Sequence, residues 1–131
     1  MSHRKEAGLT LVELMIVVVV LAILVGIAYP SYQGYVGRSY RAEAHADLHK
    51  LANLQEQYYL DQRQYTANMR QLGMGADPMV SDSGRYKIDA TVTTTGFTLT
   101  ATAQGSQASI DSDCSAMTLS DTGVKTPQEC W

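Results

Sequence analysis

An α+β fold is predicted, with a long N-terminal helix, half membrane-spanning and half amphipathic, packed on a small antiparallel sheet of three to four strands. Three observations carry this. From Leu9 to Tyr29 the chain runs 21 residues whose only charged side chain is Glu13. Between Arg38 and Gln62 apolar residues recur at helical spacing, and from Tyr86 onward they alternate with polar ones at strand spacing. The expected organisation is a leader at residues 1–8, a membrane-crossing helix at 9–29, an amphipathic helix at 30–62 and a connector with a β head at 63–131. With 131 residues, and part of them too apolar to join a soluble core, one small head domain is the most the chain can build.

The leader is short and polar, with Arg4 and Lys5 opposed by Glu6. As a helix, the apolar run after it spans roughly 31 Å, the thickness of a bilayer's hydrocarbon core. The positive-inside count does not orient it, because Arg38 and Arg41 balance Arg4 and Lys5. Cys114 and Cys130 do. They are the only cysteines, an even number at the C-terminal end that suits one disulfide and an exported head. Closing a loop of this size is worth about 3 kcal/mol in the chain-entropy model.

Glu13 is the odd residue. A carboxylate within a membrane span costs about 2.5–3.5 kcal/mol on insertion scales and marks function. A conventional signal peptide, with Gly26 and Ala28 as the small residues before its cleavage site, has no use for such a charge. Cleavage after Gly8 would instead create an α-amino group on Leu9, one helical turn from Glu13. Amine and carboxylate could neutralise each other within one chain or between neighbouring chains, and the second pairing would set one subunit's axial position against the next.

Pro30 has no N–H for the carbonyl of Gly26 and crowds it, so local loosening of the helix is expected there. Tyr29, Tyr32 and Tyr35 follow at three-residue spacing and suit a membrane interface. Ala44, Leu48, Leu51, Ala52 and Tyr58 mark the apolar stripe of the amphipathic half. Joined end to end, the two helical halves would make a rod of about 80 Å. Gly73, Gly75 and Pro78 give an irregular connector with one short helical turn around 67–72. Tyr86, Ile88, Ala90 and Val92 read as one strand. Phe97, Leu99, Ala101 and Ala103 read as its antiparallel partner across a Thr94-Thr95-Gly96 turn. Ser115–Leu119 and Val124–Thr126, around Asp121-Thr122-Gly123, complete the sheet as a short hairpin, with Trp131 beside the cysteine bridge.

Gly8, the Leu9-Thr10-Leu11-Val12-Glu13 segment, the apolar run and Pro30 resemble the N-terminal signature of the type IV pilin family. The segment Leu54 to Thr66 and the Cys130-Trp131 ending resemble minor pilins of the PilE kind. The resemblance implies cleavage between Gly8 and Leu9 by a prepilin peptidase that also N-methylates Leu9. It implies recognition of Glu13 at the fifth mature position, and a helix that enters a filament core and unwinds near Pro30. Leu9 departs from the phenylalanine most members carry. Implied partners are the peptidase/N-methyltransferase, other pilin subunits and the inner-membrane assembly platform. The implied location is a single-pass inner-membrane precursor, N-terminus cytoplasmic and head periplasmic, then an extracellular filament. Twitching, adhesion or DNA uptake would follow. A major pilin and a type II secretion pseudopilin are the neighbouring alternatives, the C-terminal cysteine pair arguing against the second. A soluble secreted binding domain is the distant one.

No cofactor and no catalytic residue is expected. The chain lacks a glycine-rich phosphate loop and a GxSxG elbow. His45 and His49 share a helix face at four-residue spacing, but alanine stands at 46 and no third ligand follows, so no metal is expected. Asp111 and Asp113 lack the glycine and distal glutamate of a calcium loop. The formal net charge is −3, and loss of Arg4, Lys5 and Glu6 with the leader, a net +1, takes it to −4. Residues 71–131 hold seven acids against Arg85, Lys87 and Lys125. A nucleic-acid partner is therefore not expected by default, and any DNA affinity of the head is expected to be weak.

Overall fold

The computed structural model describes residues 7–131, so Arg4, Lys5 and Glu6 of the expected leader lie outside the described residues. The chain divides into two units, one ending at Gln33 and one beginning at Gly34. Helix α1, Leu11–Gln62, starts in the first and ends in the second.

In the first unit, residues 7–32 are exposed along their whole length. Leu, Val, Ile and Met side chains facing outward on every side of a helix are stable only in an apolar medium. By length and composition this stretch can cross a membrane. The helix opens with a reciprocal cap. Thr10 Oγ1 accepts from the backbone N–H of Glu13, and a Glu13 carboxylate oxygen accepts from the backbone N–H of Thr10 at 2.9 Å. Backbone at Pro30 stays helical, where loosening was expected. Proline removes one N–H···O bond, and the helical turns that flank it here are enough to hold the geometry.

In the second unit the C-terminal half of α1 lies on a five-stranded antiparallel meander: β1 (Met79–Val80), β2 (Tyr86–Val92), β3 (Phe97–Ala103), β4 (Ala116–Ser120) and β5 (Lys125–Thr126). Three to four strands were expected. The difference comes from the two-residue edge strand β1, which is too short to show an alternation in sequence and pairs through Met79 opposite Ile88. The expected helical turn around 67–72 is a 3₁₀ turn at Met69–Leu72, capped by the Asn68 side chain. A second short helix, α2 (Ser106–Ile110), follows β3.

The core forms where α1 meets the sheet. Ala44, Leu48 and Leu51 are fully buried against Tyr86, Ile88, Leu99, Ala101 and Met117. Register makes large meet small: Ile88 opposes Ala101, which opposes Met117, and one rung on Ala90 opposes Leu99. Side chains of unequal size can then interdigitate at interior density. Ala52 and Tyr58, also expected on the apolar stripe, pack at its margin.

Two glutamines tie the loops to α1. Gln55, fully buried, continues the stripe beyond Leu51. Its Nε2 donates to the carbonyl of Thr66, and its Oε1 accepts from the N–H of the same residue at 3.1 Å. Gln107 Nε2 donates to the carbonyl of Gly37 and to Tyr86 Oη, both at 2.9 Å. Gly37 is required at that contact, because a Cβ there would lie 2.9 Å from Ile110 Cγ2.

Candidate functional site

Two places are candidates for function. At the N-terminus the Gly8–Leu9 bond lies in non-helical backbone, two residues before α1 begins. Leu9 is 76% exposed, and a Cβ built on Gly8 would meet no atom within 4 Å. Non-helical, unobstructed backbone of this kind is open to a peptidase. Glu13 is one turn on, engaged by Thr10 in the cap already described. The Ser/Thr-x-x-Glu pattern of that cap is written in the sequence. Thr10 is therefore a residue that a reading centred on the membrane cost of Glu13 overlooks.

The second place is the C-terminal corner of the head. Cys114 and Cys130 form a disulfide, and both are nearly inaccessible. The Cys130 carbonyl accepts from His45 Nε2 at 2.8 Å. His45 also stacks on Trp131, with ring centres 4.4 Å apart and planes 10° from parallel. His49 meets the same indole edge-on at 5.8 Å, and the Lys125 ammonium sits over it, 5.1 Å from the centre. The two histidines considered for a metal thus converge on an aromatic ring, and among the described residues no group of three or more possible ligands forms. Asp111 forms a partly buried ion pair with Arg41 of α1, which donates through Nε at 2.7 Å and through Nη2. Residues 70 positions apart meet there, and nothing local in the sequence signals it.

Because a carbonyl can only accept, His45 carries its proton on Nε2 and would take a second on Nδ1. Desolvation holds its pKa below the usual histidine range against the raising effect of the Cys130 hydrogen bond, and Arg41, His49 and Lys125 push the same way as desolvation. The folded state therefore binds this proton less readily than the unfolded chain. Head stability is complete above the unfolded value near 6.5 and falls as pH drops from there toward the lowered folded value. Asp47 is shifted up by desolvation and by Glu43 and Asp82, and acts in the opposite sense at lower pH. Replacing His45 by Gln, which retains a donor for Cys130, removes only the histidine part. Thermal unfolding of the full chain in detergent should show the variant losing less stability than wild type between about pH 7.5 and 5.5.

Comparison with known proteins shows what these features belong to. Residues 3–29 match the prokaryotic N-terminal methylation motif, and residues 30–118, most of the head, match the family described as type IV minor pilin ComP, DNA uptake sequence receptor. The chain belongs to this pilin family. Relatives include fimbrial protein EcpC of Eikenella corrodens, 33% identical over 96 residues, covering 73% of this chain and 60% of the relative. The type IV major pilin protein PilE1 of Neisseria gonorrhoeae is 33% identical over 85 residues, covering 64% and 50%. The type II secretion system core protein G of Aeromonas hydrophila is 34% identical over 65 residues, covering 50% and 46%. The chain spans about half to three fifths of the length of these relatives. The family match ends at residue 118, within β4 and before Lys125, Cys130 and Trp131.

Proposed function

We propose that the chain is a minor subunit of a type IV pilus whose head touches DNA during uptake. The observation that carries this is the family match across residues 30–118. The precursor sits in the inner membrane with its N-terminus cytoplasmic and its head periplasmic, an orientation supported by the disulfide. Prepilin peptidase cuts between Gly8 and Leu9 and methylates Leu9, a step supported by the methylation motif and the exposed backbone there. The apolar helix then leaves lipid for the filament core with help from the assembly platform, Glu13 fixing its register and Pro30 giving it compliance. The charge-based expectation of no nucleic-acid partner gives way to one of weak, few-contact binding: a chain of net charge −3 has little counterion release to offer.

The secretion-pseudopilin reading draws on the match to core protein G, which covers half of the chain. Mass spectrometry of the mature N-terminus, with deletion of the gene in a natively processing strain, tests the proposal. Methylated Leu9, with filaments that persist and DNA uptake that falls, supports it. A mature chain starting at Tyr29 ends the filament argument, loss of all filaments makes this the major subunit, and unchanged uptake removes the DNA role.

A further inference from the structure

No charged residue stands between Glu13 and Arg38, and the first cations after the apolar run are Arg38 and Arg41. Arg41 is occupied by its ion pair with Asp111. Arg85, which meets the same part of α1, lies over the Tyr40 ring, 4.2 Å from its centre, and donates to Ser106 Oγ at 3.0 Å. Arg38 is exposed, and among the described residues no carboxylate pairs with it. Its guanidinium is nonetheless placed. Side chains on a helix lean toward its N-terminus, and Arg38 reaches back a full turn, its Nη1 3.7 Å from where a Cβ on Gly34 would stand. Gly34 leaves that turn bare for it. Tyr35, 66% exposed, is its neighbour at three-residue spacing.

The reach matters because of where it ends. The polar layer on each side of a bilayer's hydrocarbon is about 5–8 Å deep. Counted along the helix from Tyr29, the last residue of the apolar stretch, Arg38 is about 13.5 Å on and Gly34 about 7.5 Å. The backbone of Arg38 is thus beyond the headgroups, and its folded-back guanidinium is among them. We propose that Arg38, Gly34 and Tyr35 form a binding site for the phosphate of one anionic phospholipid on the head's side of the membrane. The guanidinium donates a forked pair of hydrogen bonds and the Tyr35 hydroxyl a third. The proposal rests on the membrane-precursor reading above and adds a ligand to it. An anionic lipid fits better than a zwitterionic one, whose own ammonium would compete with the arginine for the phosphate. Arginine's planar, weakly hydrated fork suits phosphate oxygens, and the tyrosine ring suits the same zone. One arginine at such a surface is worth roughly fivefold in affinity, enough to set the depth of the helix and too little to trap a subunit leaving for a filament.

The full chain in non-ionic detergent is titrated with phosphatidylglycerol or with phosphatidylcholine, and bound lipid is counted by native mass spectrometry. The expected result is a first phosphatidylglycerol bound roughly fivefold more tightly than phosphatidylcholine. Arg38→Gln should erase that preference, and Arg85→Gln, at an arginine already engaged, should keep it. Gly34→Leu retains every charge but fills the turn against which the guanidinium lies, and should lower the preference. Equal affinity for the two lipids, a preference that Arg38→Gln keeps, or one that Gly34→Leu leaves untouched overturns the site and leaves membrane insertion standing. Displacement of the lipid by excess inorganic phosphate makes this a general anion site and overturns the lipid as its ligand. A chain that alkaline carbonate strips from phosphatidylcholine vesicles removes the membrane reading itself and the lipid site with it.

Discussion

Glu13→Ala is expected to insert in the membrane and fold its head as wild type does, yet to be nearly absent from purified filaments. The structure shows the carboxylate in one task, and the proposed cleavage would add a second that can be separated from it. In the uncut chain it closes the cap with Thr10, satisfying an N–H that would otherwise face hydrocarbon unpaired. After the proposed cleavage behind Gly8 it would be the only charged side chain in the apolar stretch, and so the one placed to answer a new Leu9 amine. Single substitutions separate the tasks. Glu13→Gln keeps a side chain that can close the cap and loses the charge. Thr10→Ala keeps the charge and loses the hydroxyl half of the cap, at a cost of about 1 kcal/mol. If charge pairing sets subunit register, the Gln variant should be lost from filaments like the Ala variant, and the Thr10 variant should be incorporated nearly normally. Quantitative blotting of sheared filaments against membrane fractions gives the comparison. A Gln variant found at wild-type level would leave Glu13 as a helix cap and nothing more.

How far the sequence disclosed this molecule depended on the range over which each feature acts. The apolar run, the Leu48 and Leu51 stripe and the alternation of Tyr86, Ile88 and Ala90 are periodic over many residues, and each formed the element its period predicts. Strand β1 and helix α2 were invisible for the complementary reason, two and five residues holding no period. Gln55 and Gln107 are fully buried, although as polar residues they read as surface. Their partners are backbone groups exposed by the ends of other elements, and a pattern of side-chain types does not record those. The Arg41–Asp111 pair and the stacking of His45 on Trp131 join residues 70 and 86 positions apart, and such meetings are products of the fold. His45 and His49 show the opposite hazard. Four-residue spacing on one helix face raised the question of a metal, and the spacing in fact presents both rings to one indole.

Removing the disulfide should be the largest stability change available in the head. Cys114 and Cys130 are 3% and 1% exposed and 16 residues apart, so replacing both by alanine frees that loop in the unfolded chain. The expected cost is about 3 kcal/mol from chain entropy. For a folded unit of this size, that lowers the unfolding midpoint by roughly 10–20 °C. The loss should not be uniform. The two-residue strand β5 and the 3₁₀ turn Gln128–Cys130 have few other attachments: a two-pair ladder to β4, the Thr118–Thr126 hydroxyl pair, the His45 hydrogen bond to Cys130, and the stack and Thr126 hydrogen bond of Trp131. By contrast, β2 and β3 are paired along all seven of their residues and sit under α1. In the alanine variant Trp131 emission should therefore shift at a lower temperature than far-ultraviolet circular dichroism, whereas the two coincide in the oxidised wild type. A midpoint that moves by only a few degrees, with the two signals still coincident, would mean that the histidine–indole clamp holds the C-terminal corner without the covalent bond. In that case His45 and Trp131 would keep the corner in place after reduction, and a head exposed to thiols would stay folded.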